Sequence, residues 1–361
     1  DELNVPAIVG PNVSQDVITV TNNYSVKGDT VLITPTGVAS SIGDLEDNDL
    51  TWQMIPTDVQ RAPLMKDQIL ELETQMRADR GRDLRLTIVF RNDALGTGTR
   101  VALNDLTFNG RSLADNISPN VNTVTIEQYG ATDTAGQAEI VKRQLAFAPD
   151  IVVMAGLAEA ITQVMDPLER GWTGSARPSY VLIDSLKVPE LLRLATGNED
   201  LRRRVRGTGI VPTARSREVF EAFQVDYQTR YPGSSTTISG MGPSYDAAYS
   251  IAFALAATRD MPVSGTAVAK GLTMLAGPGN GTPTPIQSTT VLSAFSQLTS
   301  QKSVLAIGTF APVDFDESGA PANGRVEIWC IAGGTSPQYS GSGRTYDIEM
   351  RRLEGDYEQC E

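Results

Sequence analysis

The chain has 361 residues, 40% of them apolar and 20% charged, with 30 Lys and Arg against 43 Asp and Glu for a net charge of -13. That length allows two or three domains of ordinary size, and that apolar content excludes disorder as the default state. The acidic balance argues against a nucleic-acid partner, because a phosphate backbone repels such a surface, and the chain contains no apolar run of about twenty residues that would span a membrane.

In chain order, residues 5–10 (VPAIVG) read as a strand closed by a Gly-Pro break. Residues 16–23 continue as a helix that their Val and Thr content weakens. Residues 30–34 (TVLIT) form a second strand, which ends in the loop 35–41. Residues 58–80 are helical, with Ile69, Leu72 and Met76 recurring at helical spacing. Residues 84–90 (LRLTIVF) are a strand, and 97–104 and 135–147 are helices. Residues 150–155 (DIVVMA) form a continuous apolar strand before a helix from Glu159, and 179–184 (SYVLID) form another strand. Helices follow at 216–231 and 244–258, with Ser244 as the N-cap of the second.

Beyond Gly277 the texture changes. Pro and Gly cluster at 277–285 (GPGNGTPTP), and a helix occupies 290–298. From Ile307 the chain has β character, with turns at 316–319 (DESG) and 320–324 (APANG) separating the strands VDF and VEIWCI. Residues 336–345, rich in Ser and Gly, read as a flexible surface loop. Short apolar strands alternating with helices mean an α/β fold with parallel sheets covered on both faces. Ligands of such sheets meet the loops at the C-terminal strand ends.

The chain has no histidine, which removes the commonest general base, the usual Ser and Cys triads and most zinc sites. No phosphate-cradling Gly-Lys-Ser/Thr loop occurs, and the acidic stretch 44–49 misses the calcium-loop spacing. Neither a metal nor a cofactor is expected. The basic cluster 202–206, beside Glu199 and Asp200, reads as a solvated helix face. The two cysteines, Cys330 and Cys360, could be buried and free. A disulfide pinning a loose tail is the preferred reading, and it implies an oxidising compartment. The strand-end loops are rich in Ser, Thr, Asn and Gly. Such loops suit a ligand carboxylate, and they serve equally as helix N-caps.

Seven segments, in order, carry a resemblance: 6–14 (PAIVGPNVS), 31–38 (VLITPTGV), 52–60 (WQMIPTDVQ), 86–98 (LTIVFRNDALGTG), 150–156, 245–257 (YDAAYSIAFALAA) and 312–319 (PVDFDESG). Together they resemble the type I periplasmic binding proteins, specifically the leucine/isoleucine/valine-binding family of ABC-transporter substrate-binding proteins. The resemblance covers most of residues 5–331. It implies two doubly wound α/β lobes with parallel sheets, joined by three crossovers near Leu84, Gly240 and Gly324 and closing on a ligand like a flytrap. Lobe 1 would comprise 1–84 and 241–323, and lobe 2 would comprise 85–240 and 324–361. In the family, two βα units precede the strand that opens here at Val5, so lobe 1 is expected to be completed by chain outside these residues.

The resemblance further implies a solute-binding protein, periplasmic or extracellular, that takes an amino acid or related small polar ligand for an ABC permease. Any membrane attachment would come from a lipid anchor outside this stretch. The same lobes also serve ligand-sensing receptors, and an enzyme on this fold would draw its base from Asp93, Asp184 or Glu159. Residue by residue, Ser14 matches the serine whose hydroxyl meets the ligand carboxylate, and Asn12 shares its loop. Thr36, Gly37 and Val38 fall where the second loop supplies backbone and hydroxyl contacts. Leu95 and Leu157 stand where amino-acid binders tend to carry aromatic residues. Ser185 occupies the position of the acid that pairs with the ligand ammonium, with Asp184 one place earlier. Tyr245 begins the segment that resembles the helix returning to lobe 1. The departures at Leu95, Leu157 and Ser185 point to a larger or less polar ligand than a branched-chain amino acid.

Overall fold

The computed structural model describes residues 5–234, 240–258, 262–276, 281–334, 336–358 and 360. The chain divides into two compact units, each assembled from separate segments. The first comprises Asp1–Thr57, Ile210–Arg325 and Asp347–Arg352. The second comprises Asp58–Gly209, Val326–Tyr346 and Leu353–Glu361.

In the first unit the strands Ala7–Val9, Val31–Thr34 and Thr51–Gln53 form a parallel sheet in that order, with Ala7 opposite Val31 and Leu32 opposite Thr51. The middle strand is apolar and buried throughout, as its continuous hydrophobic run requires. Ala7–Val9 lies at the edge of this sheet, and Ile8 and Val9 are exposed. A second parallel pair joins Thr282–Pro285 to Val304–Ile307. The core gathers Val31, Ile33 and Trp52 from the sheet with Phe253, Val268, Leu272 and Leu298 from three helices. Those helices are Met241–Ala257, Gly265–Leu272 and Val291–Thr299.

The second unit is built on an eight-stranded sheet. Its order is Arg352–Glu354, Gln338–Asp347, Arg325–Ala332, Val205–Ile210, Ser179–Leu182, Ile151–Ala155, Leu86–Arg91, Val124–Tyr129. From Val205–Ile210 onward the strands run parallel. The register pairs Arg91 with Tyr129, Phe90 with Ala155 and Met154 with Leu182, so the C-terminal strand ends share one edge. The helix Asp58–Arg80 buries Leu64, Met65 and Ile69. Its Asp67 is tied to Arg344 at 2.8 Å and to the Tyr357 hydroxyl at 2.8 Å. Cys330 is disulfide-bonded to Cys360, 30 residues away in sequence.

The α/β class and the parallel sheets are those read from the sequence, and several local expectations are corrected. The helix expected at 244–258 starts at Met241, with Gly240 as its N-cap at φ +94°. Ser244 therefore lies inside the helix rather than capping it. Gly240 is required there, because a Cβ would stand 2.5 Å from Thr36 Cγ2. The expected loop at 336–345 is largely the strand Gln338–Asp347, which buries Ser342 completely and Tyr346 almost so. Its Ser and Gly content concealed a strand that a sheet neighbour stabilises. Residues 277–280 of the Gly/Pro cluster lie outside the described residues, while Thr282–Pro285 is a strand. Of the two late strands only the second forms, as Arg325–Ala332, and Phe315 makes just an isolated bridge with Pro321.

The basic cluster is not a solvated face. Arg202 is buried and donates to the carbonyls of Ile331 (2.9 Å) and Cys360 (2.7 Å), and Arg204 pairs with Glu169 at 2.8 Å. The unit boundaries also differ from the crossovers placed at Leu84 and Gly240, falling at Thr57/Asp58 and Gly209/Ile210. The long helix goes with the second unit because Arg61 and Asp67 find their partners there. Residues 217–230 go with the first because Phe220 packs on Phe310 and Phe223 on Tyr245.

Candidate functional site

In the first unit two strand-end loops are stitched together by hydroxyls. Ser14 opens the helix Ser14–Val20 and is 2% exposed. Its Oγ accepts from the backbone N–H of Val38 (3.0 Å) and of Ala39 (3.2 Å). Thr34 Oγ1 donates to the Pro11 carbonyl (2.6 Å) and accepts from Gly37 N–H (2.9 Å). Thr36 Oγ1 donates to the Asn12 carbonyl (2.7 Å), and Gln53 Nε2 donates to the Gly37 carbonyl (2.9 Å). Gly37 is packed so tightly that a Cβ would stand 2.7 Å from Thr34 Oγ1.

The structure therefore brings Asn12, Ser14, Thr36, Gly37 and Val38 together, but it spends most of their expected donors within the loop pair. Gly37 N–H, Val38 N–H and the Thr36 hydroxyl are all engaged. The exposed Asn12 side chain and the Ser14 proton remain for a ligand oxygen, since a hydroxyl that accepts twice can still donate once. Tyr245 lies on the helix Met241–Ala257, in an aromatic row with Phe223 at 5.1 Å and Tyr249 at 4.7 Å between ring centres. Burial, and then its hydrogen bond with Tyr249, raise its pKa well above the ordinary tyrosine value. A cavity of about 510 Å³, floored by Trp52 and Phe315 in edge-to-face contact and rimmed by Asp47, Asp49 and Asp316, also lies in this unit. None of the residues expected to bind ligand lines it.

In the second unit the predicted residues cluster at the C-terminal strand edge. Asp184 is 5% exposed and pairs with Arg61 at 2.6 Å. Ser185 Oγ donates to the Gly156 carbonyl at 2.6 Å. Gly156 must be glycine, because the Tyr129 hydroxyl fills the place of a Cβ. That hydroxyl donates to Glu159 Oε1 (3.1 Å), which also accepts from Leu157 N–H (3.2 Å) and lies 3.5 Å from Arg91. Arg91 in turn pairs with Asp93 at 2.8 Å, and Asp93 caps the helix Ala94–Ala102 through Gly96 N–H. Leu95 is buried in the first turn of that helix, and Leu157 is part-buried.

Each acid proposed as a base or ammonium partner is thus already matched to a cation or a donor. Burial, followed by the Glu159 charge, raises the Tyr129 pKa. Lys187 is pushed down by burial, against the pull of Glu327 and Asp184. Sequence reasoning missed Arg61, Arg91, Tyr129 and Lys187. Arg61 alone had a visible signal. It shares a helical face with Leu64, Met65, Gln68 and Ile69, where a charged residue needs a buried partner. Tyr129 becomes a neighbour of the site only through the sheet register, whereas Lys187 follows Ser185 by two residues in the same loop.

No family model matches this chain, and no curated protein matches it. Solved structures do. A leucine binding protein, LivK, from Thermotoga maritima matches over 94% of this chain and 80% of its own, with a TM-score of 0.64 at 14% identity. An ABC transporter substrate-binding protein from Desulfitobacterium hafniense matches over 93% and 80%, with a TM-score of 0.55 at 15% identity. A structure of an ABC transporter substrate-binding protein from that organism in complex with Leu gives a TM-score of 0.57 at 15% identity over the same shares. At such identities the likeness concerns the fold, and the matched proteins are binding proteins.

Proposed function

We propose that this chain, which has the fold of the type I periplasmic binding proteins, is an extracytoplasmic solute-binding protein for a small polar ligand delivered to an ABC permease. One observation carries the reading. The loops 10–14 and 34–39 are rigidly cross-bonded by buried hydroxyls, yet they keep the Ser14 proton and the Asn12 side chain for a ligand oxygen. Loops held in this way would receive a ligand carboxylate with little reorganisation. The disulfide supports an oxidising location. Among the described residues no helix is long and apolar enough to cross a membrane.

Ligand chemistry follows from the second unit. Asp184 is neutralised by Arg61, Leu95 is buried, and Leu157 is part-buried. Within that unit the acids Asp93, Glu159 and Asp184 all face a cation, which disfavours a ligand held there by its ammonium group. The test is a thermal-shift screen of the full chain with amino acids, amides, short peptides, polyols and carboxylic acids. A ligand at about a hundred times its Kd stabilises the folded state by ~2.7 kcal/mol, and small-angle scattering then reports a more compact particle. Ser14→Ala should weaken the hit at least tenfold. A screen with no stabilising compound and unchanged scattering overturns the proposal.

A further inference from the structure

The cavity of about 510 Å³ floored by Trp52 and Phe315 lies wholly within the first unit, between the segments 42–52, 266–276 and 315–319. It shares no residue with the cross-bonded loops 10–14 and 34–39. Its two rings meet edge to face, with centres 4.8 Å apart. The one polar atom of the indole is already used, because Nε1 donates to the Asp49 carbonyl at 2.9 Å. What the ring pair offers a ligand is therefore apolar and π surface.

The rim gives the cavity a sign. Asp47, Asp49, Asp316 and Glu317 line it, against a single cation, Lys270. Among the described residues, none of these five makes an ion pair. One oxygen of Asp47 accepts from Asp49 N–H at 3.1 Å. One oxygen of Asp316 accepts from Ser318 N–H (2.9 Å), the Ser318 hydroxyl (2.6 Å) and Ala320 N–H (3.2 Å). Those bonds hold each loop in shape and leave both carboxylates their second oxygen. The two acid-bearing segments are also locked together. Gln53 N–H donates to the Gly319 carbonyl at 2.9 Å, and a Cβ on Gly43 would stand 2.8 Å from Ser318 Cβ. Like charges fixed around one cavity repel, and a bound cation offsets that repulsion. Among the described residues, no group of three or more acidic, cysteine or histidine side chains is placed to hold a metal ion.

We propose that this cavity binds an organic cation with an apolar or aromatic body, its ammonium group among the four carboxylates and its body on Trp52 and Phe315. A cavity of this size with an apolar floor and a few convergent charges suits a small molecule, and aromatic rings attract cations through their π faces. Lys270 sharpens the selection: an anion would find one partner there and four repelling groups. A bare ammonium or calcium ion would use the rim and leave the ring pair unfilled.

The experiment is a calorimetric titration of the full chain with three probes of one shape: phenethylammonium, phenethyl alcohol and 3-phenylpropionate. Saturable binding of phenethylammonium is expected, with the alcohol about tenfold weaker and the carboxylate weaker still. Calcium and ammonium chloride at matched ionic strength should not compete. Asp49→Asn with Glu317→Gln alters two exposed side chains, and asparagine tolerates the left-handed backbone at position 49 (φ +60°). That double variant should fold normally and bind phenethylammonium about tenfold more weakly. Phe315→Leu, which keeps the floor apolar without its ring, should also weaken the amine. No binding of phenethylammonium, equal binding of the amine and the alcohol, or unchanged binding in the Asp49→Asn/Glu317→Gln variant overturns the proposal. A failed search for the solute of the strand-end loops would leave this titration unaffected.

Discussion

Asp246 gives the first unit a pH dependence. Its carboxyl is buried in the helix Met241–Ala257, where Oδ2 accepts from Thr309 N–H (2.8 Å) and from the Thr309 hydroxyl (2.7 Å). Oδ1 has no donor. Burial pushes the pKa from 3.8 up to about 7, and the two Thr309 bonds pull it back only in part. The folded value lies above the unfolded one, so the folded state holds the proton more tightly. The resulting stabilisation is complete below pH ~4 and is lost as pH rises through about 7, amounting in full to on the order of 4 kcal/mol. Urea denaturation across that range should show wild-type stability falling as pH rises. Asp246→Asn keeps an acceptor for Thr309 and cannot ionise, so its profile should be flatter; an unchanged slope would assign the effect to another group. Little of this was legible in the sequence. A lone Asp in an apolar helix announces a buried polar group, but Thr309 is 63 residues away in sequence. Ser14 was legible only through the resemblance of residues 6–14, since a strand-end serine serves equally as a helix N-cap. That its oxygen binds Val38 and Ala39 rather than standing open was not.

At the scale of elements, alternation and helical spacing read well wherever burial decides the structure. The helix Asp58–Arg80 and the strands of the parallel sheet were expected within a few residues of where they stand. The strand Gln338–Asp347 was missed because tertiary support stabilises a sequence that is locally weak. The pair Arg61–Asp184 joins that helix to the sheet edge, with both side chains buried. Arg61→Met alone leaves a buried carboxylate uncompensated and should cost ~3–5 kcal/mol. Combining it with Asp184→Leu should recover most of that loss, and a denaturant series on the three variants would show it. Additive losses would mean that the two residues act separately. The strand Val205–Ile210 carries Gly207 and Gly209 under the Trp329 ring, whose Nε1 donates to the Thr208 carbonyl at 2.9 Å. A methyl at position 207 would overlap the indole. Gly207→Ala should therefore destabilise by about 1–3 kcal/mol, measured as a lower denaturant midpoint with an unchanged slope.

Across the whole molecule, the disulfide belongs to one unit alone. Closing a loop over 30 residues contributes about 3–4 kcal/mol through the unfolded chain. Reduction, or Cys330→Ser with Cys360→Ser, should speed hydrogen exchange in 326–346 and 353–358 and leave the amides of 7–53 unchanged. Uniform acceleration would contradict a division into two units. The two-unit plan itself was legible only through the ordered resemblance of several segments, because no local pattern says which helix returns to which sheet. That interleaving also sets the order in which the molecule can form. The strands from Leu86 to Ile210 follow one another along the chain and can pair as soon as they exist. Val31, Ile33 and Trp52 must instead wait for Phe253, Val268 and Leu298, some two hundred residues later. Contacts so distant in sequence form slowly. On refolding or during synthesis, the second unit's parallel sheet should consolidate first, while the opening strands of the chain stay uncovered and aggregation-prone until the far helices arrive.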